Sequence, residues 1–524
     1  MAIRDFIRNR VNRMAESMDL FKKDVFELEG VPAFREYYNL FIFVWQAIYK
    51  GFYKAWHDVP VKTIRDPKGK HRTMSTMNAG KMACAQMARY VWNERCSIAV
   101  SMESAPDDDP LNGFLQYVLK DNRFGTSFGD LLEKAFALGG GALKEWVEIP
   151  KDENGNDIGE GKIRIGYTMA SQFVPTAWNN SKVTSGIFVS REARDGYYYS
   201  VVEWHRLDGT TYRVTNDLYR QPIKDGEPQN ILGWWYPLNE IYPLLSPDTT
   251  IYDVHNSFFQ YIRPFGANYA DDNSPLGMSI YAPALNTLHG LDIMFDSLQR
   301  EFVLGKKRII APARAMKMSV VNGGRPDRYF DADDEVWEAL ATDNPEDLKI
   351  YDNSVDLRIE PHLSGINGDL SILCAQIGFD PGTLSFDANN GLKTATEVIS
   401  ENSKTFGTVK AHENIIKDSL EQMVHAIFEL AVHYGLTWEG QTIESLISGG
   451  YDVAIKFDDS IIQDKDAEIN QGTMLVGAGL MSKKKFMMDT LGYTEEIADK
   501  ELMQINEEGK NNAVEVTRLF GGME

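Results

Sequence analysis

Residues 274–312 read SPLGMSIYAPALNTLHGLDIMFDSLQREFVLGKKRIIAP. Pro283 stands where a first helical turn tolerates it, because its missing N–H would be unpaired there. Leu285, Leu288, Leu291, Phe295, Leu298 and Phe302 recur at spacings of three and four, which predicts one apolar face of an α-helix. Gly305 closes that helix. Lys306, Lys307 and Arg308 follow, and then Ile309 and Ile310 in β-prone chain. With Arg300, Arg314 and Lys317, six bases lie between 300 and 317 against one acid, Glu301. Taken alone, the stretch is a core helix with a solvated basic end. In a chain whose formal net charge is −22, such a local reversal of sign asks for a further reason.

The 524 residues leave room for two to four domains and a sizeable core. An apolar content of 43% excludes a disordered chain. The acidic balance excludes tight, sequence-independent DNA binding by the whole surface, which needs Lys and Arg against phosphates. An acidic wall that lets DNA slide is a different matter. Cys84, Cys96 and Cys374 form no C-x-x-C pair, and an odd number argues against a disulfide framework. The N-terminal MAIRDFIRNRVNRM is charged throughout, unlike a secretory signal. The apolar run from Tyr37 to Tyr49 is too short to span a bilayer, so no membrane association is expected.

Read in order, residues 1–30 predict an amphipathic helix with Ile3, Phe6, Ile7 and Val11 on one side. Residues 34–55 predict an aromatic helix, and 75–103 a helix running into a short strand. The acidic loop 105–110 breaks the chain. Phe114 to Leu119 and Leu131 to Leu138 predict two more helices, the second stopped by Gly139. A β region follows: LKEWVEIP and KIRIGYTM flank a polar hairpin tip. YYYSVVEWHRL and TYRVTNDLYR predict a second hairpin turning at Asp208-Gly209. Residues 319–360 hold twelve acids against four bases and predict a compact α/β insertion. Ile366, Leu370, Leu373 and Ile377 mark a helix over 364–378. Pro381 to Lys393 is a Gly- and Asn-rich loop, and Thr394 to Glu397 matches a capping box. That box opens a helix that Val398, Phe406, Val409, Ile416, Leu420, Met423, Ile427 and Leu430 carry to Gly435, roughly 60 Å long if continuous, with Gly407 as a candidate kink. YDVAIKF predicts a strand, and the acidic C-terminal part is helical. The fold class is therefore α+β, mainly helical.

Enzyme motifs are weak. GTSFG at 125–129 fits G-x-S-x-G, but a helix precedes it where a nucleophile elbow needs a strand. GEGKI at 159–163 lacks the P-loop spacing and its Ser/Thr. DENGND at 152–157 has Asp157 and Ile163 where a calcium loop needs Gly and Glu. His425 and His433 lack the H-E-x-x-H arrangement. Asp458, Asp459, Asp464 and Asp466 read as a solvated acidic loop rather than a cation site. No catalytic residue, cofactor or metal is expected.

Three blocks resemble portal proteins of long-tailed phages that infect Gram-positive bacteria. They are the 274–312 stretch, GLKTATEVISENSKTF at 391–406, and WHDV at 56–59. The resemblance implies a ring, usually of twelve subunits, at one capsid vertex around a DNA channel. It implies a wing over 1–282, a stem helix over 283–305, a clip over 306–361 and a second stem helix over 362–378. A tunnel loop over 379–393, a long wing helix and strand over 394–459, and a crown over 460–524 complete the order. Double-stranded DNA would pass without sequence preference along Arg300, Lys306, Lys307 and Arg308, and along the loop's Asp387, Asn389, Asn390 and Lys393. From the residues alone, that loop reads equally as a plain helix–helix connector. Asp331, Asp333, Asp334 and Glu335 of the clip would receive the large terminase subunit and then head-completion adaptor or tail proteins. Major capsid and scaffold proteins are further implied partners, in a virion assembled in the host cytoplasm. The rival readings are a minor capsid or scaffold-binding protein, and a monomeric serine hydrolase using Ser127.

Overall fold

The computed structural model describes residues 23–63, 66–102, 109–150, 157–180, 182–223, 231–305, 309–310, 317–319, 327–329, 351–352, 356–385, 403–458, 465–490, 493 and 497–505. The helix expected over 1–30 does not extend to its end. Lys23–Asp24 is a strand (β1), followed by a single 3₁₀ turn, Val25–Glu27. Asp24 accepts the Phe26 N–H at 2.9 Å and Glu27 reaches back to the Asp24 N–H at 3.4 Å. This capping box closes on one turn, because Gly30 then adopts φ 85° and Pro32 follows.

The aromatic segment is helical but not uniformly α. Arg35–Tyr37 leads into a π-helical stretch, Tyr38–Ile42, and then an α-helix, Phe43–Tyr49 (α1). The wider turn coincides with complete burial of Tyr38, Ile42 and Trp45, and the Tyr38 hydroxyl donates to the Phe173 carbonyl. A short helix, Lys54–His57, precedes a hairpin absent from the sequence reading, Asp58–Thr63 (β2) with Asp66–Thr73 (β3). The next helix, Ala79–Val91 (α2), starts four residues later than the pattern suggested. Residues 75–78 are instead a loop held by side chains of a later helix. Ser97–Met102 (β4) pairs along its whole length with Tyr451–Lys456, the expected YDVAIKF strand. Pro110–Asp121 (α3) opens on an Asp109 cap with Pro110 at its first position. Phe124–Leu138 (α4) ends at Gly139, where φ is 79° and an added Cβ would meet the Gly277 carbonyl at 2.4 Å.

Gly141–Glu148 (β5) and Lys162–Met169 (β6) form the first expected hairpin. Phe173–Asn179 (β7) and Lys182–Arg194 (β8) were not anticipated. Tyr197–Asp208 (β9) and Thr211–Pro222 (β10) form the second hairpin, with Asp208 opposite Thr211, so the two-residue loop is Gly209-Thr210. Ile231–Tyr236 (β11), Asp248–Tyr252 (β12) and Phe259–Ile262 (β13) complete two sheets. One runs β1-β11-β10-β9-β8-β7 with β12 on β10, and the other runs β13-β5-β6. Lys144 of β5 and Glu203 of β9 join the sheets at 2.6 Å, and His205 binds the same carboxylate at 2.7 Å. Burial opposes ionisation of Glu203, but His205 and Lys144 outweigh it and hold the carboxyl down at about 2.

Leu285–Leu304 (α5), Ile359–Ile377 (α6) and Ser403–His433 (α7) follow. α7 is the central pillar, with Val409, Ile416, Leu420, Met423, Ile427 and Leu430 buried as expected and Phe406 half-buried. Burial of each such large side chain contributes about 1.5–3 kcal/mol. Gly407 produces no break: the helix is continuous over its described length. The box at Thr394–Glu397 lies outside the described residues. Two helices, Lys465–Gly477 and Lys483–Asp489, bear out the helical C-terminal part. The three cysteines are free, and among the described residues no helix is long and apolar enough to cross a membrane.

Candidate functional site

α5 leaves a 3₁₀ turn, Ala282–Ala284, that contains Pro283. Leu288, Leu291 and Leu298 are buried as the spacing requires, whereas Phe302 is 48% exposed. Asp292 and Asp296, one turn apart, are also buried, which the apolar reading of this helix did not anticipate. A buried carboxylate is tolerated only when its oxygens are paired. Asp292 Oδ1 accepts the Thr76 hydroxyl at 2.8 Å and the Met77 N–H at 2.9 Å, and Oδ2 lies 3.0 Å from His57 Nε2. The Tyr53 N–H donates to His57 Nδ1 at 2.8 Å. Nδ1 is therefore an acceptor, and Nε2 carries the hydrogen given to Asp292.

Asp296 takes both Arg72 guanidinium nitrogens, at 2.9 and 2.7 Å, and the Ser75 N–H at 3.0 Å. Burial alone would raise its carboxyl, but Arg72, that N–H and nearby Arg300 together hold it below the ordinary range. Trp56 stacks on His289 of α5 with ring centroids 4.8 Å apart. The WHDV block and the 274–312 stretch, far apart in sequence, thus meet at one place. Residues 72–77 wrap the two carboxylates, which explains why α2 starts late.

α6 packs antiparallel to α5. Thr287 donates to Gln376 at 2.8 Å at one end, and Arg358 binds Glu301 through two nitrogens at 3.1 and 2.9 Å at the other. The Arg358 side chain and its N–H pull the Glu301 carboxyl down to about 2. Glycines bring the helices close: a Cβ on Gly290 would sit 3.2 Å from Asp369. α6 begins at Ile359, inside the segment assigned to the insertion, and buries Ile366, Leu370, Leu373 and Ile377 as expected. Gly305 ends α5 without a left-handed residue, at φ −77°. Glycine is required there because a Cβ would meet Leu357 at 2.4 Å and the Glu301 carbonyl at 2.6 Å. Beyond this end the chain leaves and returns, with Ile309–Ile310 antiparallel to Tyr351–Asp352 and Lys317–Ser319 antiparallel to Asp327–Tyr329.

The junction of α6 with α7 is stapled. Gly378 adopts φ 87° and its carbonyl accepts the Thr408 hydroxyl at 2.8 Å. Asp380 and Thr405 exchange two bonds: the Asp380 N–H to Thr405 Oγ1 and the Thr405 N–H to Asp380 Oδ2, each 2.8 Å. Asp380 thus caps the first described turn of α7 from another element.

Of the expected channel residues, only Arg300 is described: it is half-buried on α5, near the Asp296–Arg72 pair. Lys306, Lys307, Arg308, Asp387, Asn389, Asn390 and Lys393 lie outside the described residues, as do Asp331, Asp333, Asp334 and Glu335 of the insertion. Ser127 lies in the first turn of α4, directly after α3, so GTSFG is not a strand-to-helix elbow. Asp458 is spent on Asn93 at 3.1 Å and Arg95 at 3.9 Å, and His425 bonds Tyr451 at 2.7 Å. Among the described residues no group of three or more His, Cys, Asp or Glu is placed to hold a metal ion.

The residues that organise the site, His57, Arg72, Asp292 and Asp296, were missed by sequence reasoning. The available signal was two acids four apart on an otherwise apolar stripe. No individual curated protein matches the chain. The model of the family described as Phage portal protein, SPP1 Gp6-like, does match, over residues 41–515; that span takes in the helix pair, its polar anchor and the segment inserted between the helices, and the chain belongs to the phage portal protein family.

Proposed function

We propose that this chain forms the ring-shaped portal vertex through which double-stranded DNA enters and leaves the capsid. In this reading α5 and α6 are the stem, the segment between them is the clip, and residues 379–393 are the tunnel loop. The 394–459 segment belongs to the wing and 460–524 to the crown. About twelve copies close the ring. The role is mechanical: a separate ATPase drives DNA through a mostly acidic wall. Arg300, Lys306, Lys307, Arg308 and Lys393 touch phosphates weakly, and Asp387, Asn389 and Asn390 let the loop follow the duplex. The acids Asp331, Asp333, Asp334 and Glu335 steer docking of the large terminase subunit and then of head-completion or tail proteins. Major capsid and scaffold proteins contact the outer rim.

One observation carries the ring. The exposed α6 residues between Pro361 and Gln376 are Pro361, Ser364, Gly365, Gly368, Ile372, Ala375 and Gln376, none of them charged. Ile293, Val303 and Leu304 of α5 are exposed as well. An uncharged, partly apolar helix face on a chain of net charge −22 is the kind of surface that another subunit covers. The test is electron microscopy and mass measurement of the purified protein. Closed rings with a central channel are expected. A monomer at micromolar concentration, unchanged by magnesium or salt, would refute the reading. Deleting Asn389 and Asn390 should leave rings intact and lower the yield of DNA-filled heads; wild-type yield would reduce that loop to a connector.

A further inference from the structure

Backbone groups along the edge of a sheet pair with other chains unless something guards them. Several edges of this chain are guarded. β7 carries Pro175 and two shifts of register. On β6 the Asn122 side chain takes the Ile165 N–H and donates to the Ile163 carbonyl, each at 2.9 Å. Along β4, Asn112 takes the Val100 N–H at 3.2 Å and Asp109 the Met102 N–H at 2.6 Å, while Gln116 donates to the Ile98 carbonyl at 2.7 Å.

The bonds to β4 also fix which way its partner strand faces. In an antiparallel pair, alternate residues point both backbone groups at the neighbouring strand or both away from it. Ile98, Val100 and Met102 point away, so Ser97, Ala99 and Ser101 bond the residues opposite them, Lys456, Ala454 and Asp452. Tyr451, Val453 and Ile455 therefore turn their N–H and C=O groups to the far side, where these groups have no hydrogen-bond partner among the described residues.

β12 is open in the same way. The Asn216 N–H of β10 donates to the Pro247 carbonyl at 3.0 Å, and these two residues stand opposite each other in the register that pairs Thr215 with Asp248. Thr249 and Ile251 therefore bond β10, and Thr250 and Tyr252 turn their backbone groups outward, again without a partner among the described residues. Both side chains are exposed.

The two open edges sit at one level of α7. Tyr451 bonds His425 at 2.7 Å and packs its ring on Phe428. Ile251 shares a core with Ala426 and Leu430, and Glu429 takes the His255 and Asn256 N–H groups just past β12. At about 100° per residue, the two sets of α7 residues lie roughly 120° apart around the helix. Two different surfaces on different sides of one helix suit a head-to-tail contact, which in a ring joins one side of each copy to another side of the next.

We propose that β12 of one copy pairs with the Tyr451–Lys456 strand of the next, continuing the sheet across the subunit boundary. This rests on the ring reading and adds to it the contact that joins neighbours.

The test starts from rings of the unaltered protein; their absence would overturn the ring reading itself, before any variant is made. In rings, the Tyr451, Val453, Ile455, Thr250 and Tyr252 amides should exchange hydrogen roughly a hundredfold slower than unpaired amides. Proline at an outward-facing edge position removes the N–H without breaking the strand's own ladder. Val453→Pro and Thr250→Pro should each lower the ring fraction roughly tenfold, about the worth of one backbone hydrogen bond. Val453 is half-buried, so where its variant fails to fold the exposed Thr250 carries the test. Thr250→Ala keeps the N–H and should assemble as wild type. Rings whose edge amides exchange as fast as unpaired ones, wild-type assembly of Thr250→Pro, or an equal loss with Thr250→Ala would each overturn the proposal. So would protection that arises only when a different head protein binds the ring, which would make that protein the occupant.

Discussion

Asp292→Asn removes a charge and one acceptor while keeping the shape of the side chain, so its cost can be worked out bond by bond. In the wild type Oδ1 serves Thr76 and Met77, and Oδ2 serves His57. If the new amide keeps its oxygen toward Thr76 and Met77, its NH2 faces the Nε2–H of His57. The ring cannot change tautomer to accept it, because Nδ1 already takes the Tyr53 N–H. If the amide turns over, the NH2 faces the Met77 N–H instead. Either way a buried donor is orphaned. An orphaned buried donor costs about 1–3 kcal/mol, and turning the surviving charge-assisted bonds neutral costs about 1 kcal/mol more, so the sum is roughly 2–4 kcal/mol. Hydrogen exchange followed by mass spectrometry reads this locally. Amides of residues 72–78 and of α5 should exchange about 30- to 900-fold faster at neutral pH, at 1.36 kcal/mol per decade. Peptides from the β9–β10 hairpin, which shares no contact with the site, should not change. Protection of 72–78 within threefold of wild type would refute the anchor.

Glu145 is 2% exposed, its carboxyl oxygen Oε2 accepts the Gln260 amide at 3.2 Å, and burial pushes its carboxyl up to about 8. The folded state therefore holds a proton that the unfolded chain releases near pH 4.5, and stability drains away as pH rises from there to about 8, by at most about 1.4 kcal/mol per pH unit. Glu145→Gln should match wild type near pH 5 and exceed it by several kcal/mol at pH 9; denaturation midpoints that stay parallel across that range would refute this. Asp380→Ala leaves the Thr405 N–H without its cap and should cost about 1–2 kcal/mol, seen as faster exchange in the first turn of α7 with its centre unchanged. Gly378→Ala combines φ 87° with a Cβ 2.6 Å from the Thr408 hydroxyl and should cost about 1–3 kcal/mol, measured by thermal unfolding.

Local periodicity determined much of this protein. The apolar repeats at Leu288, Leu291 and Leu298, at Ile366 to Ile377 and at Val409 to Leu430 placed the three long helices, because an α-helix must bury one stripe whatever it packs against. Alternation and turn chemistry placed the β5–β6 and β9–β10 hairpins, and the ordered blocks at 56–59, 274–312 and 391–406 pointed to the portal family. Tertiary structure alone decided where polar groups go. Asp292 and Asp296 look like interruptions of an apolar stripe until His57, Arg72 and the 72–77 loop arrive from more than 200 residues away. β8 escaped notice because only its first half is buried, and the β2–β3 hairpin because its described residues bury no face. The first described turn of α7 is capped by Asp380 from another element, a partnership that no local rule can express. Periodicity records which residues avoid water, whereas a buried charge survives only through partners that the folded chain supplies.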